Sequence, residues 1–404
     1  METRKSDQIT AARPPESNLL WALIGHGIRE IATVPCSITS TWHGRLVAAN
    51  RTDVLDLVTT SHEGNLPGLA AGLWFGTGRA ALIHMQNSGL PNAGDGLITM
   101  ASPDVYGIPM VALVTWRGDT PTDFSEPHQA IGRRTASLCR TIFGAGAVFG
   151  NRDGSGILEA LDAAVTHARS FGPAALLLAS GALSPGRSLE PPQPPPTITT
   201  GRLGELRAVK GERSLAGPLT GTAPLTRDRA LKAIVNRHPD AAILFSNGFT
   251  SRAAQAVADR AGNFYNTGYM GGTLAMGWGL AVSRPDLQVV VVDGDQNAVM
   301  SCMKEHLAAH YPDNLHWYIL DNGIGASVGN AASVPLSTQC HNLARVVKIK
   351  PDAPGTFRYP RVSATGVYAD QADAQLPGTL TGLARGFRRW IARQTGARYD
   401  AAQA

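Results

Sequence analysis

Residues 289–300 read VVVVDGDQNAVM. Four consecutive valines mark a buried strand, yet the strand runs into Asp293, Gly294, Asp295, Gln296 and Asn297. A second apolar run, LHWYIL, is followed by Asp321 and Asn322, the latter 27 residues beyond Asp295. One helix and one strand fit in that interval, so a βαβ unit would bring Asp295 and Asn322 to the same sheet edge. A carboxylate, a carboxamide oxygen and a nearby backbone carbonyl form an all-oxygen set. Such a set suits a hard cation such as Mg2+, which keeps a water and takes phosphate oxygens in its remaining places. Taken alone, Asp295 would equally serve as a helix cap. A third polar cluster, His62, Glu63, Gly64 and Asn65, follows VLDLVTT and opens an apolar helix. A carboxylate there is stabilised by the helix dipole.

The elements that must position these groups alternate short apolar runs with helical patterns, the signature of a parallel α/β sheet. Strands are expected at IATVP, VLDLVTT, AALIHM, MVALVTW and AALLLAS in the first half, and at AAILFSN, QVVVVD and LHWYIL in the second. Helices are expected at LLWALIGHGI, LPGLAAGLWFG, RALKAIVNRH, AAQAVADRAG and AVMSCMKEHLAAHY. Strands this apolar belong to sheets covered on both faces, and ligands of such sheets sit beyond the carboxyl ends of the strands. Residues 186–225 are rich in Pro, Gly and Thr and include PPQPPP, a semi-rigid spacer. The expected organisation is therefore α/β with two doubly wound parallel-sheet domains, residues 1–185 and 226–404, joined by a linker at 186–225.

The 404 residues are 43% hydrophobic and 17% charged, enough for two full cores. The formal net charge of +5 is scattered without a Lys/Arg block, which argues against nucleic acid as a partner. Cys36, Cys139, Cys302 and Cys340 form no CxxC pair and each lies in or near an apolar segment, so reduced, buried thiols are expected. The N-terminal stretch has no apolar signal core and no run reaches membrane-spanning length. A cytoplasmic protein is the expectation.

The spaced Asp295 and Asn322 resemble the metal motif of thiamine diphosphate (ThDP) enzymes, in which the Asp, the Asn and the carbonyl two residues on hold Mg2+. The resemblance implies Asp295, Asn322 and Ile324 as metal ligands, with Gly294, Gln296 and Asn297 lining the diphosphate. The turn NTGYMGG, from residue 266, is similar to the family's bent-cofactor turn. It implies Met270 as the wedge beneath the cofactor and the Gly268 carbonyl as acceptor of its aminopyrimidine. Glu63 stands where the family keeps its proton-shuttling glutamate, a carboxylate whose pKa burial raises.

The wider set VPCS, EGN, MQNSGLPNAGDGL, WRG, EPHQ, TSR, GYMG, DGD and DNGIGASVG resembles the phosphonopyruvate and sulfopyruvate decarboxylase group over roughly residues 17–335. That implies a pyrimidine-binding and a diphosphate-binding domain with no middle domain. It also implies an anionic 2-oxo acid substrate and a homodimer or dimer of dimers, with sites built from two chains. Glu63, His62 and His128 are then the candidate catalytic residues, and Asn87, Ser88, Arg117 and His128 the candidate substrate contacts. Each also has a structural reading, Arg117 as a surface ion-pair partner and His128 as a loop residue. Tyr269 and Gln296 occupy positions where the family has small residues. A carboligase using the same cofactor, or a catalytically decayed subunit, would share most of these motifs. A dehydrogenase is disfavoured, because no strand–GxGxxG–helix with a following acidic residue is present.

Overall fold

The computed structural model describes residues 14–118, 123, 125–184, 224–328, 330–352 and 379–394. Six strands form the first sheet: β1 (Glu30–Thr33), β2 (Asp56–Thr59), β3 (Ala81–Gln86), β4 (Met110–Trp116), β5 (Val148–Phe149) and β6 (Ala174–Ala179). Their order is β2-β1-β3-β4-β6-β5 and every pairing is parallel. The second sheet contains β7 (Ala242–Phe245), β8 (Asn263–Tyr265), β9 (Val289–Gly294) and β10 (Leu315–Asp321). After a short antiparallel pair, β11 (Ile324–Gly325) and β12 (Ala331–Ala332), it is completed by β13 (Arg345–Lys348). Its order is β13-β10-β9-β7-β8, again all parallel. The expected pair of parallel α/β sheets is what the chain forms. Among the described residues no helix is long and apolar enough to cross a membrane.

The two halves meet at two apolar helices, Leu66–Thr77 and Thr273–Ser283, in which every residue is buried. Gly68, Gly72 and Gly76 recur every fourth residue on the first, and Ala275, Gly279 and Ser283 on the second. Small residues at this spacing form one row along a helix, and such rows let two helices interdigitate. At Gly72 an added Cβ would lie 2.1 Å from the Met276 carbonyl, and at Gly279 2.6 Å from that of Leu69. The backbones therefore touch. The C-terminal helix Leu380–Arg393 seals one end of this junction, with Phe387 packed against Phe75 and Phe264.

Several expectations change. AVMSCMKEHLAAHY forms two short helices, Asp295–Met300 and Lys304–Ala309, instead of one. The chain turns extended at Ser301, and the Lys304 ammonium takes the carbonyls of Ala298, Val299 and Ser301. Those carbonyls stand at a helix end, where intrahelical donors run out, although that of Ala298 also accepts the Ser301 amide. Cys302, at this break, is exposed, whereas Cys36, Cys139 and Cys340 are buried. β5, β8 and β13 were not anticipated; they have two, three and four residues and lie at the ends of the two sheets. The linker at 186–225 lies outside the described residues except for its last two. Of these, Leu225 bridges to Ile349. The segment FRYPRVSATGVYADQ lies outside them entirely.

Candidate active site at the strand ends

β9 and β10 pair directly, Asp293 opposite Ile319 and Gly294 opposite Leu320, so the residues that follow emerge side by side. Asp295 Oδ2 accepts the Gly323 amide at 3.1 Å and Oδ1 the Gln296 amide at 2.8 Å. The Asn322 side-chain oxygen accepts the Ile324 amide at 3.3 Å. Asp295 is buried, and burial pushes its carboxyl up, with Asp321 adding to the rise against the opposing backbone amides. A cavity of about 300 Å³ opens here, lined by Gly248, Thr250, Asp295, Gln296, Asn322 and Ile324, with Met270 at its wall. Among the described residues no group of three His, Cys, Asp or Glu side chains is placed to hold a metal. The donor set at this edge is oxygen from one carboxylate, one carboxamide and backbone, the chemistry that fits Mg2+ bound alongside phosphate.

The two aspartates of DGD do different work. Asp293 is fully buried and accepts from Asn297 Nδ2 at 2.5 Å and Trp317 Nε1 at 2.8 Å. Burial pushes its carboxyl up to about 6 despite those donors. Asn297 also accepts the Gly271 amide at 2.8 Å. Its side chain thus braces the Gly268–Gly272 turn against β9, although the residue also borders the cavity. The Gly294 amide donates to Ser246 Oγ at 3.2 Å and so faces the protein interior. Gln296 has room because residue 325 is glycine; a Cβ there would fall 2.5 Å from the Gln296 amide nitrogen.

The Glu63 turn is assembled from distant segments. His62 Nδ1 accepts the Gly64 amide at 2.9 Å, which leaves the ring proton on Nε2 when the imidazole is neutral. Glu63 Oε2 accepts from Asn92 Nδ2 at 3.0 Å, and its carboxyl carbon would lie 2.3 Å from a Cβ on Gly89. The Glu63 carboxyl is half-buried and meets this amide, not a purely apolar wall. Asn65 donates to Thr60 Oγ1 at 3.0 Å and to the Cys302 carbonyl at 3.2 Å.

The Gly268–Gly272 turn of the second half lies against this region. Tyr269 Oη donates to the Gly64 carbonyl, and the Met270 amide donates to Asp95 Oδ2 at 2.9 Å. Gly268 is pressed on the Thr99 carbonyl, 2.4 Å from its would-be Cβ. Met270 is 55% exposed and borders the Asp295 cavity. Within one chain the two turns lie side by side.

The candidate substrate contacts separate into two kinds. Asn87 is fully buried and spent internally. It donates to the Arg117 carbonyl at 2.9 Å and to Thr135 Oγ1 at 2.7 Å, and it accepts the Arg117 amide at 3.3 Å. It is a clamp between β3 and β4 instead of a substrate donor. Ser88 is exposed and accepts from Gln86 at 2.7 Å. The Arg117 guanidinium contacts Ser37 Oγ and lies 3.5 Å from Asp123, which also meets His128 Nδ1 at 3.1 Å. Arg117 and His128 therefore form one cluster around Asp123. Sequence reasoning missed Asn92, Asp95, Ser37 and Asp123. Asn92 and Asp95 had a readable signal, since residues three apart share a face of the helix Leu90–Gly96.

The family model "Thiamine pyrophosphate enzyme, C-terminal TPP binding domain" matches residues 247–352. Phosphonopyruvate decarboxylase of Streptomyces hygroscopicus is 35% identical over 319 residues, covering 78% of this chain and 74% of the relative. The phosphonopyruvate decarboxylase of Streptomyces viridochromogenes is 32% identical over the same length, covering 78% and 75%. In fold, the chain is similar to the ThDP-dependent 4-hydroxybenzoylformate decarboxylase of Rhodococcus jostii RHA1. The TM-score is 0.57 at 13% identity, with 84% of this chain and 99% of that one covered. With this identity across most of its length, the chain belongs to the phosphonopyruvate decarboxylase family of thiamine pyrophosphate enzymes.

Proposed function

We propose that this protein decarboxylates phosphonopyruvate to phosphonoacetaldehyde and CO2, using thiamine diphosphate and Mg2+. The observation that carries this reading is the shared wall at Met270. The residue borders the cavity of Asp295 and Asn322, and its backbone amide is tied to the segment that holds Glu63. Asp295 and Asn322 would stand at the diphosphate end of the cofactor and Glu63 at its pyrimidine end. Asp295, the Asn322 side-chain oxygen and the Ile324 carbonyl would hold Mg2+. Bound thiamine diphosphate supplies an electron sink for the electrons left when CO2 departs.

The chain's own residues do the rest. Glu63, whose carboxylate accepts from Asn92, would exchange a proton with the pyrimidine ring of the bound cofactor. Arg117, with Ser37 beside it, would offer a charge-assisted donor to the phosphonate, and His62 and His128 are the further candidate donors. In this reading residues 1–185 carry the glutamate side and residues 226–404 the diphosphate side of a cytoplasmic homodimer.

Mass spectrometry of products from phosphonopyruvate, sulfopyruvate and pyruvate, each with thiamine diphosphate and Mg2+, tests the proposal. A site that pairs a second anion discriminates against a substrate lacking it, because the contacts to that group are lost. Phosphonopyruvate should therefore be turned over far better than pyruvate. Preference for sulfopyruvate would move the assignment to the sulfonate acid. Acyloin products would identify a carboligase, and no turnover of any acid a decayed site.

A further inference from the structure

The ring of Tyr269 is enclosed by glycines from three separate elements. An added Cβ would come within 3.0 Å of it at Gly68, 2.8 Å at Gly96 and 2.0 Å at Gly272. The residue is 3% exposed. A bulky side chain at this turn is therefore accommodated by built space. Its hydroxyl donates to the carbonyl of Gly64, the residue after Glu63, whose own amide is already taken by His62 Nδ1. Gly64 thus has both backbone polar groups held. Burial pushes the phenol's ionisation well above the usual tyrosine range, and Asp95 and Cys302 push the same way, so the group remains a donor.

The next residue, Met270, has its amide on Asp95, three residues after the Asn92 that holds the Glu63 carboxylate. Glu63 and Met270 are consequently referenced to each other through two short routes, one through Tyr269 and one through the helix Leu90–Gly96.

We propose that Tyr269 is a positioning residue: its hydroxyl fixes the Glu63 turn relative to the Gly268–Gly272 turn, setting where the Glu63 carboxylate stands with respect to the cofactor. This rests on the assignment of Glu63 given above. Small displacements of a reacting group are expensive in rate and cheap in binding.

Tyr269→Phe keeps the ring in its glycine-lined space and removes only the hydroxyl. The expected result is a loss in kcat of roughly tenfold or more, with KM, thiamine diphosphate affinity by calorimetry and thermal midpoint close to wild type. In the cofactor-free protein, amide hydrogen exchange across residues 61–66 should become faster while other segments keep their protection. Unchanged kcat, or unchanged exchange in that segment, overturns the proposal. A joint fall of kcat, cofactor affinity and thermal midpoint would make Tyr269 a packing residue only, which also overturns it. Glu63→Gln is the control. If it is inactive while Tyr269→Phe behaves as wild type, only the tyrosine's role is lost. If Glu63→Gln retains turnover, the assignment of Glu63 falls, and the tyrosine proposal with it.

Discussion

The two edges that face each other across Met270 are built on different plans. At the Asp295 edge two adjacent strands end together, and backbone amides of the next few residues set the carboxylate and the carboxamide. At the Glu63 edge the carboxylate is held by Asn92 and Gly89, from one segment, and, through Gly64, by Tyr269, from the other half of the chain. The first edge is local and stiff. The second is a convergence of side chains, so it can be adjusted residue by residue. A site of this kind keeps its anchor constant and tunes its reactive group.

That contrast can be attacked at each edge in turn. Glu63→Gln should leave the fold and cofactor binding intact and reduce kcat roughly a hundredfold or more, the scale of a positioned acid–base group. Steady-state kinetics beside a thermal melt checks this. Asp295→Ala should instead act on binding. Thiamine diphosphate affinity should fall by about tenfold or more, with the dependence on Mg2+ lost in parallel; calorimetry with and without chelator measures both.

Gly72→Ala strikes the contact between the two regions. Its methyl would stand 2.1 Å from the Met276 carbonyl, and overpacking of this sort costs about 1–3 kcal/mol, readable by denaturant unfolding. The smallest effect should come from pH. His84, fully buried between the Thr33 and Thr39 hydroxyls, is pushed down to about 3 by burial, with His43 adding to the fall. The unfolded chain therefore binds a proton that the folded one refuses. Stability is full above about 6.5 and is lost as pH falls below it, on the order of 1 kcal/mol by pH 6. Melts at pH 7 and 6 should show this loss in wild type and a smaller one in His84→Gln.

The same contrast explains what was legible beforehand. The valine run and LHWYIL announced two buried parallel strands, and their spacing implied that Asp295 and Asn322 would share an edge, because strand pairing is a short-range consequence of a βαβ unit. The apolar strands of the first half were equally plain. The break at Ser301 was not, since it depends on Lys304 folding back over three carbonyls. Nor were β5 and β8, which are too short for a period to show, or β13, where only two valines stand between Arg345 and Lys348. Asn87 looked available for substrate but is consumed by Arg117 and Thr135, partners 30 and 48 residues away. Tyr269 looked out of place until the glycines around its ring were seen together, and no local pattern links residues 68, 96 and 272.

The helices Leu66–Thr77 and Thr273–Ser283 begin directly after the Glu63 turn and the Gly268–Gly272 turn, and they meet backbone to backbone. Side chains can absorb a disturbance by changing rotamer; main chain in van der Waals contact has no such slack. The spacing between the two helices that follow these turns is therefore a property of the helix pair as a solid body, and Tyr269 sets the finer register of the turns upon it. Relative motion of the halves cannot carry the two helices apart without first separating the seam, so the approach of the two turns should persist up to the point of unfolding, while the finer placement of Glu63 stays open to single side chains.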